Sequence, residues 1–236
     1  MRRLIASCLA VGATFVVTIG CASGAGADRS RPSAADQAAA KRDVLHISDL
    51  PPTVPWTATK LDSPNPATPS SCTRLDYNSP SIVDTAQAGS QFKGPGMLVV
   101  NQVGLVADPG MIDVIWKHIY AQSISRCIGD AFSAGGAGHI KLLSSKRLPF
   151  PRLTRHLSAY RVLFQLTVKG MHVRGAFDMV VLGNERTLSM LMVMGIIGSA
   201  SDEATGERDM TLIDLDLAEK IAGRAFSTAS PAGTTA

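Results

Sequence analysis

Apolar residues recur along the chain in patterns that predict several β-strands. Residues 97–106 are rich in Leu and Val and follow a Gly-Pro-Gly turn, and residues 54–60 form a shorter strand pattern. Three further apolar segments are separated by Lys-Gly and by Gly-Asn-Glu, both suited to hairpin turns: residues 159–168, 171–182 and 186–197. We therefore expect these three segments to form an antiparallel meander.

Two other segments carry apolar residues at helical spacing. The first starts at Asp108, whose carboxylate can cap a helix that has Pro109 at its first position, and we expect it to end near Ile128. The second spans residues 211–226 and has an apolar face made of Leu212, Leu215, Ala218, Ile221, Ala222 and Ala225. Runs of strands with helices against them predict a single α+β domain, an antiparallel sheet flanked by helices.

The ends of the chain do not share these patterns. A short basic start followed by an apolar run predicts that residues 1–20 are a signal peptide. Residues 21–42 are rich in Ala, Gly and Ser and hold no large apolar side chain, which is typical of a flexible tether. The domain is expected to span residues 43–226, and residues 227–236 are predicted to be a disordered tail.

Two candidate processing sites follow the apolar run. The Thr-Ile-Gly-Cys sequence that ends at Cys21 resembles a bacterial lipobox, in which the cysteine is acylated and becomes the new N-terminus. The Ala-Gly-Ala sequence that ends at Ala27 instead fits ordinary secretion. We expect acylation at Cys21, and two or more acyl chains such as palmitate anchor a protein stably to the cell membrane. A soluble secreted protein cleaved after Ala27 is the alternative.

The four cysteines have different predicted fates. Cys8 is removed with the signal peptide and Cys21 is a processing residue, which leaves Cys72 and Cys127. In an oxidising compartment this pair predicts a disulfide. It would close a loop of about 55 residues and contribute roughly 4 kcal/mol. Two separate buried thiols are the alternative, and a metal pair is disfavoured because no Cys/His spacing surrounds either residue.

Charge and composition exclude one class of partner. The chain has 23 Lys and Arg against 19 Asp and Glu, and its net charge of +4 falls to +2 when the signal peptide removes two arginines. Aromatic residues make up only 5% of the chain. We expect no nucleic-acid partner, since such binding needs a strong basic patch or an aromatic stacking surface.

The sequence contains no recognisable enzyme motif. Neither HExxH nor GxSxG occurs, so a metalloprotease or a serine hydrolase is not expected. The histidines are scattered along the chain: His46, His118, His139, His156 and His172. We therefore expect a protein that is not an enzyme, with no catalytic residue, no metal and no cofactor.

Two groups of potential metal ligands have simpler interpretations. The acidic residues between positions 202 and 209 lack the EF-hand pattern and are predicted to lie in a solvated loop. Met190, Met192 and Met194 alternate along a predicted strand, as a thioether copper site would require. The residues between these methionines are also apolar, so this strand is expected to be buried on both faces.

Basic residues around position 160 allow two interpretations. Tyr160 and Arg161 begin a predicted strand, with Arg152 and Arg155 nearby. These side chains can bind an anionic headgroup or form an exposed basic edge, and we expect the edge. A cleft between the meander and a covering helix would suit an apolar ligand, although no sequence feature identifies ligand-binding residues.

The order of elements and several landmarks resemble a known group of proteins. The landmarks are Asp49-Leu50-Pro51, Trp56, Cys72, Cys127 and Ala159-Tyr160-Arg161, followed by a closing amphipathic helix. They are similar to those of actinobacterial secreted lipoproteins with a PsbP/Mog1-like fold, and of the related extracellular sensor domains of mycobacterial receptor Ser/Thr kinases. The resemblance implies a PsbP/Mog1-like sandwich in the cell envelope, with no catalytic residues to carry over.

These observations together predict a functional class. We expect a non-catalytic, extracytoplasmic lipoprotein that acts as a binding or sensor-like module for an apolar or amphipathic ligand. Its partners would be the membrane, through the lipid anchor, and the small ligand. The alternative is a membrane-tethered structural module that scaffolds another envelope protein.

Overall fold

The computed structural model describes residues 33–61, 83–117, 140–168, 170–198 and 202–226. Within these ranges, the helices are α1 (Ala34–Asp43), α2 (Pro109–Ile115) and α3 (Glu203–Ala225), with one 3-10 turn at Ile47–Asp49. The strands are β1 (Thr57–Thr59), β2 (Asp84–Gly94), β3 (Met97–Val106), β4 (Ile140–Arg147), β5 (His156–Val168), β6 (Met171–Asn184) and β7 (Thr187–Gly198).

The described strands form one antiparallel sheet in the order β1-β2-β3-β7-β6-β5-β4. The predicted meander is confirmed as β5, β6 and β7, in which Ala159 pairs with Val180 and Val180 with Leu191. Strand β3 then pairs with β7, so the two halves of the chain share the centre of the sheet. Gly96, with a φ of 74°, makes the β2–β3 turn, a backbone conformation that favours glycine.

Helices cover both faces of this sheet, so the prediction of an α+β domain with a flanked antiparallel sheet is confirmed. On one face, Ile112 and Ile115 of α2 pack with Met190 and Met192 of β7. On the other face, α3 packs on alternate residues of the same strands, and α1 lies beside it over β2 and β3. Strand β7 is therefore buried on both faces, as its apolar pattern predicted.

Helix α3 begins earlier than the sequence predicted. Its apolar face starts near residue 210, but the helix extends back to Glu203 and includes most of the acidic residues that were expected in a solvated loop. The solvated-loop prediction is wrong because two of these acids are paired: Glu203 with Arg174, and Glu207 with Lys146. The start of α3 is held on the sheet by polar contacts, which leave no apolar pattern in the sequence.

Helix α1 lies inside the segment predicted to be a tether. Residues 34–42 are helical, whereas residues 21–32 lie outside the described ranges. Ala40 is completely buried against Ala86 and Leu105, and alanine contacts of this kind leave no amphipathic pattern in the sequence. The folded domain therefore starts before residue 43, the predicted boundary.

Several predictions fall partly or wholly outside the described residues. The helix that starts at Pro109 is described as α-helix only to Ile115, so its predicted end near Ile128 is not tested. The tail at 227–236 and the signal peptide also lie outside the described ranges. Among the helices that are described, none has both the length and the apolar character needed to cross a bilayer.

Candidate functional site

A groove of about 560 Å³ lies beside the connection between β4 and β5, and we call it the β4–β5 groove (lined within residues 147–159). Strand β4 ends at Arg147 and β5 begins at His156. Pro149 and Pro151 between them lack the N–H groups that a sheet or helix would use, so this segment connects the two neighbouring strands as irregular chain. It is fixed by the Leu148 amide, which donates to the Ala159 carbonyl at 2.8 Å.

The inner wall of the groove is apolar and continuous with the core. Leu148 is buried in the cluster under α3, and Phe150 and Leu157 pack against that cluster while remaining partly accessible. The Thr154 hydroxyl donates to the His156 carbonyl at 2.6 Å and fixes the last turn before β5. The wall therefore presents an apolar surface on a hydrogen-bonded backbone.

The rim of the groove is basic. Arg147, Arg152 and Arg155 are exposed and line it. Arg155 donates to Asp113 of α2 at 3.1 Å, but within the described residues Arg147 and Arg152 have no acidic partner. The sequence contains a signal for this rim: no Asp or Glu occurs between residues 131 and 177. An open groove with an apolar wall and two guanidinium groups that no described acidic side chain pairs with suits an amphipathic anion.

The structure separates the four residues that the sequence placed at one basic edge. Arg152 and Arg155 are exposed at the groove, but Tyr160 and Arg161 are buried on opposite faces of the sheet. The exposed-edge prediction is wrong for these two because β4, which the sequence pattern did not reveal, pairs with β5 and makes it an internal strand. Sequence reasoning also missed Arg147, because its position depends on β4.

Arg161 is the centre of a buried polar network between the sheet and α3. Its side chain is 2% exposed, and its Nε donates to Asp178 Oδ1 of β6 at 2.7 Å. A second guanidinium nitrogen binds Asp178 Oδ2, and a third donates to the Glu207 carbonyl oxygen at 2.7 Å. Although burial acts to lower it, hydrogen bonds to Asp178 raise the pKa of Arg161 above its ordinary value. The network holds α3 on the sheet.

Asp214 is buried beside this network. Its carboxyl group is 0% exposed, and within the described residues neither oxygen has a hydrogen-bond partner. Burial raises the pKa of Asp214 well above its usual range, and the nearby Asp178 carboxylate raises it further, whereas Arg161, 3.9 Å away, opposes the shift. The neutral, protonated form is therefore favoured in the folded protein.

A histidine and a carboxylate meet at the same end of the sheet. His156 Nε2 and Asp113 Oδ1 are 2.7 Å apart, and the Trp116 ring lies 5.0 Å from the His156 ring between centroids. The hydrogen bond to His156, with the charge of Arg155, lowers the pKa of Asp113. These contacts hold α2 against the start of β5, next to the β4–β5 groove.

The landmarks of the N-terminal segment have structural roles. The Asp49 carboxylate accepts hydrogen bonds from the His46 amide at 2.6 Å and from Arg224 of α3 at 2.8 Å. The Trp56 indole donates to the Pro51 carbonyl at 3.1 Å. Asp49 therefore ties this segment to α3, and the Trp56–Pro51 hydrogen bond fixes the turn within it.

The residues expected to be modified lie outside the described ranges. These are Cys21, Cys72 and Cys127. Two of the five histidines, His118 and His139, also lie outside the described ranges. Across the described ranges, no group of three or more His, Cys, Asp or Glu side chains is arranged to hold a metal ion.

No family model and no curated protein matches this chain. Among solved structures, it is similar to PA94 from Pseudomonas aeruginosa, a protein of unknown function, with 9% identity over 53% of this chain and 78% of that one (TM-score 0.28). It is also similar to an uncharacterised protein from Mycobacterium smegmatis, the Rv0999 ortholog, with 10% identity over 75% of this chain and 92% of that one (TM-score 0.35). These are distant similarities to uncharacterised bacterial proteins and assign no family.

Proposed function

We propose that this protein is a non-catalytic, lipid-anchored module of the cell envelope that binds an amphipathic molecule with an anionic end in the β4–β5 groove. The observation that carries the proposal is the pair Arg147 and Arg152, which flank the apolar wall around Phe150 and have no acidic partner within the described residues. Such a site matches a ligand with one charged end and one apolar end.

The arginine rim of the groove favours the anionic end of such a ligand, and the apolar wall favours its apolar end. Guanidinium groups bind carboxylate or phosphate through two parallel hydrogen bonds and are weakly hydrated for a cation. An acyl or aryl group against Leu148, Phe150 and Leu157 would remove apolar surface from water, which contributes about 25 cal/mol per Å². Neither the arginine rim nor the apolar wall alone encloses a small molecule as a strong binding site would. The proposed ligand therefore contacts both.

The envelope location rests on the sequence. The lipobox-like segment at Cys21 supports anchoring by acyl chains at the outer face of the cell membrane, with soluble secretion after Ala27 as the alternative. The resemblance to actinobacterial secreted lipoproteins with a PsbP/Mog1-like fold supports the same class. A Cys72–Cys127 disulfide would fit an oxidising compartment.

Calorimetric titration of the mature chain tests the proposal. Dodecyl phosphate below its micelle concentration is expected to bind, whereas dodecyl maltoside, which has the same tail and a neutral head, is expected to bind at least tenfold more weakly. The double variant Arg147→Gln/Arg152→Gln should lose this preference.

The matched control removes two positive charges elsewhere. Lys93 and Arg208 are exposed and lie outside the groove, so Lys93→Gln/Arg208→Gln should bind dodecyl phosphate like the parent protein. Equal binding of both amphiphiles, or equal loss in both double variants, would contradict the proposed site.

One observation favours the alternative of an interaction module that scaffolds an envelope protein. Leu212 lies on the outer side of α3 with 59% of its surface exposed, the largest exposure among the large apolar residues of the described chain. A protein that binds neither amphiphile, but retains one envelope protein that Leu212→Ser releases, would support this second function.

A further inference from the structure

We infer that the ligand of the β4–β5 groove is an anionic phospholipid of the bilayer to which the protein is anchored, bound through its headgroup at the arginine rim and through part of its apolar portion at the wall. This inference rests on the proposed function, because it assigns the source of the amphipathic anion. It is carried by two observations: the place where the chain reaches the domain, and the distribution of charge at that end of the sheet.

The groove lies at the end of the sheet where the N-terminal segment joins the domain. Strand β2 starts at this end, and the amide of Ser33 donates to the Thr85 carbonyl at 3.1 Å. Strand β4 ends and β5 starts at the same end, because His156 pairs with Gly183 near the end of β6. The start of the folded domain and the groove therefore share one end of one sheet.

The separation of the strands and the length of the N-terminal segment allow the lipid anchor and the groove to reach the same membrane. Strands β2 and β5 are four strand spacings apart, about 19 Å across the sheet. Twelve residue steps separate Cys21 from Ser33, so a fully extended chain covers at most about 40 Å. An acylated Cys21 would thus leave the groove within reach of the lipid headgroups.

Charge is unevenly distributed across this end of the sheet. Two acids there are already paired, Asp36 with Arg186 at 2.6 Å and Asp113 with Arg155 and His156. Among the described residues, the other acids at this end lie away from β4: Asp84, Asp108 and Glu185. The corner formed by β4 and β5 therefore carries the free positive charge, and it would turn towards an anionic surface.

Vesicle sedimentation tests the inference with the mature chain lacking its acyl group. Phosphatidylcholine vesicles with one third phosphatidylglycerol are expected to bind the parent protein at least tenfold more tightly than pure phosphatidylcholine vesicles. Arg147→Gln/Arg152→Gln should abolish this difference and Lys93→Gln/Arg208→Gln should retain it. High salt should weaken binding to the anionic vesicles.

Three results would overturn the inference. They are equal binding to both kinds of vesicle, binding that the groove variant does not reduce, and binding of inorganic phosphate or dodecyl phosphate without binding to the anionic vesicles. In the last case a protein that still binds dodecyl phosphate keeps the proposed function and loses only the bilayer as the ligand's source. A protein that binds neither vesicles nor dodecyl phosphate loses both proposals.

Discussion

Asp214 shows how a single residue of the polar network sets a pH dependence for the whole fold. In the unfolded chain its carboxyl group has an ordinary pKa near 4. In the folded protein, burial and the Asp178 carboxylate raise the pKa of Asp214, so the folded state keeps a proton that the unfolded state has released. The contribution of Asp214 to the free energy of unfolding therefore falls as pH rises from its unfolded pKa to its folded pKa.

The variant Asp214→Asn should remove this loss of stability. Asparagine is similar in shape, stays neutral, and can donate a hydrogen bond to Asp178. Denaturant unfolding measures the free energy of unfolding of both proteins at about pH 5 and at about pH 8. The decrease between the two pH values should be smaller in the variant than in the parent, by about 1 kcal/mol or more.

The matched control is Asp216→Asn, which changes a half-exposed carboxylate on the same helix. It should alter stability by less than about 0.5 kcal/mol and leave the pH dependence unchanged. Parallel stability curves for Asp214→Asn and the parent would show that Asp214 is ionised in the folded protein.

At the scale of elements, α3 depends on polar and apolar contacts in different turns. Leu217 and Ile221 pack in the core, whereas the turns before them contact Arg161 through the Glu207 carbonyl and the Thr211 hydroxyl. Because Arg161 also binds Asp178 of β6, it connects two strands and the helix. Its removal would leave the buried Asp178 carboxylate without its main partner.

We expect Arg161→Met to destabilise the domain by about 3–5 kcal/mol, the usual cost of breaking a buried ion pair on one side. Chemical denaturation measures this change. Arg161→Met/Asp178→Leu, which removes both charges, should recover part of the stability, and the exposed control Arg208→Met should cost less than about 0.5 kcal/mol. Equal stability of Arg161→Met and Arg208→Met would refute the role assigned to Arg161.

The sequence predicted the elements that carry strong apolar patterns and missed those that do not. Strands β3, β5, β6 and β7 and the apolar end of α3 follow from periodicity alone. The predicted apolar face of α3 is wrong at Leu212, which is 59% exposed, because the buried face runs through Met210, Asp214 and Leu217 instead. Strand β2 is rich in Ala, Gly, Ser and Gln and becomes a strand through its pairing with β3. Strand β4 likewise depends on its pairing with β5, and helix α1 depends on its packing over β2 and β3.

The candidate site was only partly predictable for the same reason. The sequence marks Arg152 and Arg155 as candidate headgroup ligands but favours an exposed basic edge. Arg147 and the wall residue Phe150 join them only because β4 pairs with β5, which brings the connection between the two strands beside the groove. The burial of Arg161 follows from α3, which covers that face of the sheet and contacts the guanidinium through Glu207 and Thr211.

At the scale of the whole molecule, one end of the sheet combines the start of the folded domain and the β4–β5 groove. The acylated Cys21 would lie twelve residue steps before Ser33, so anchoring and ligand binding would act at one surface. This arrangement depends on processing at Cys21 rather than after Ala27. The proposed disulfide between Cys72 and Cys127 would add a covalent restraint to the same chain.

The intact mass of the protein from its own host tests both modifications. A chain that starts at Cys21 should carry the added mass of a diacylglyceryl group, and oxidation of Cys72 and Cys127 should lower the mass by two hydrogens, about 2 Da. Cys21→Ala should release the protein into the medium. A mature chain that starts at Asp28 would contradict acylation, and identical reducing and non-reducing peptide maps would contradict the disulfide.

The central claim is the location of the ligand site, and NMR titration of the isotope-labelled mature chain with dodecyl phosphate tests it most directly. Amide signals of residues 147–159 should shift together along one saturating curve, and Arg147→Gln/Arg152→Gln should abolish these shifts while Lys93→Gln/Arg208→Gln preserves them. Saturating shifts confined to other residues, or no shifts at all, would contradict the assignment of the β4–β5 groove.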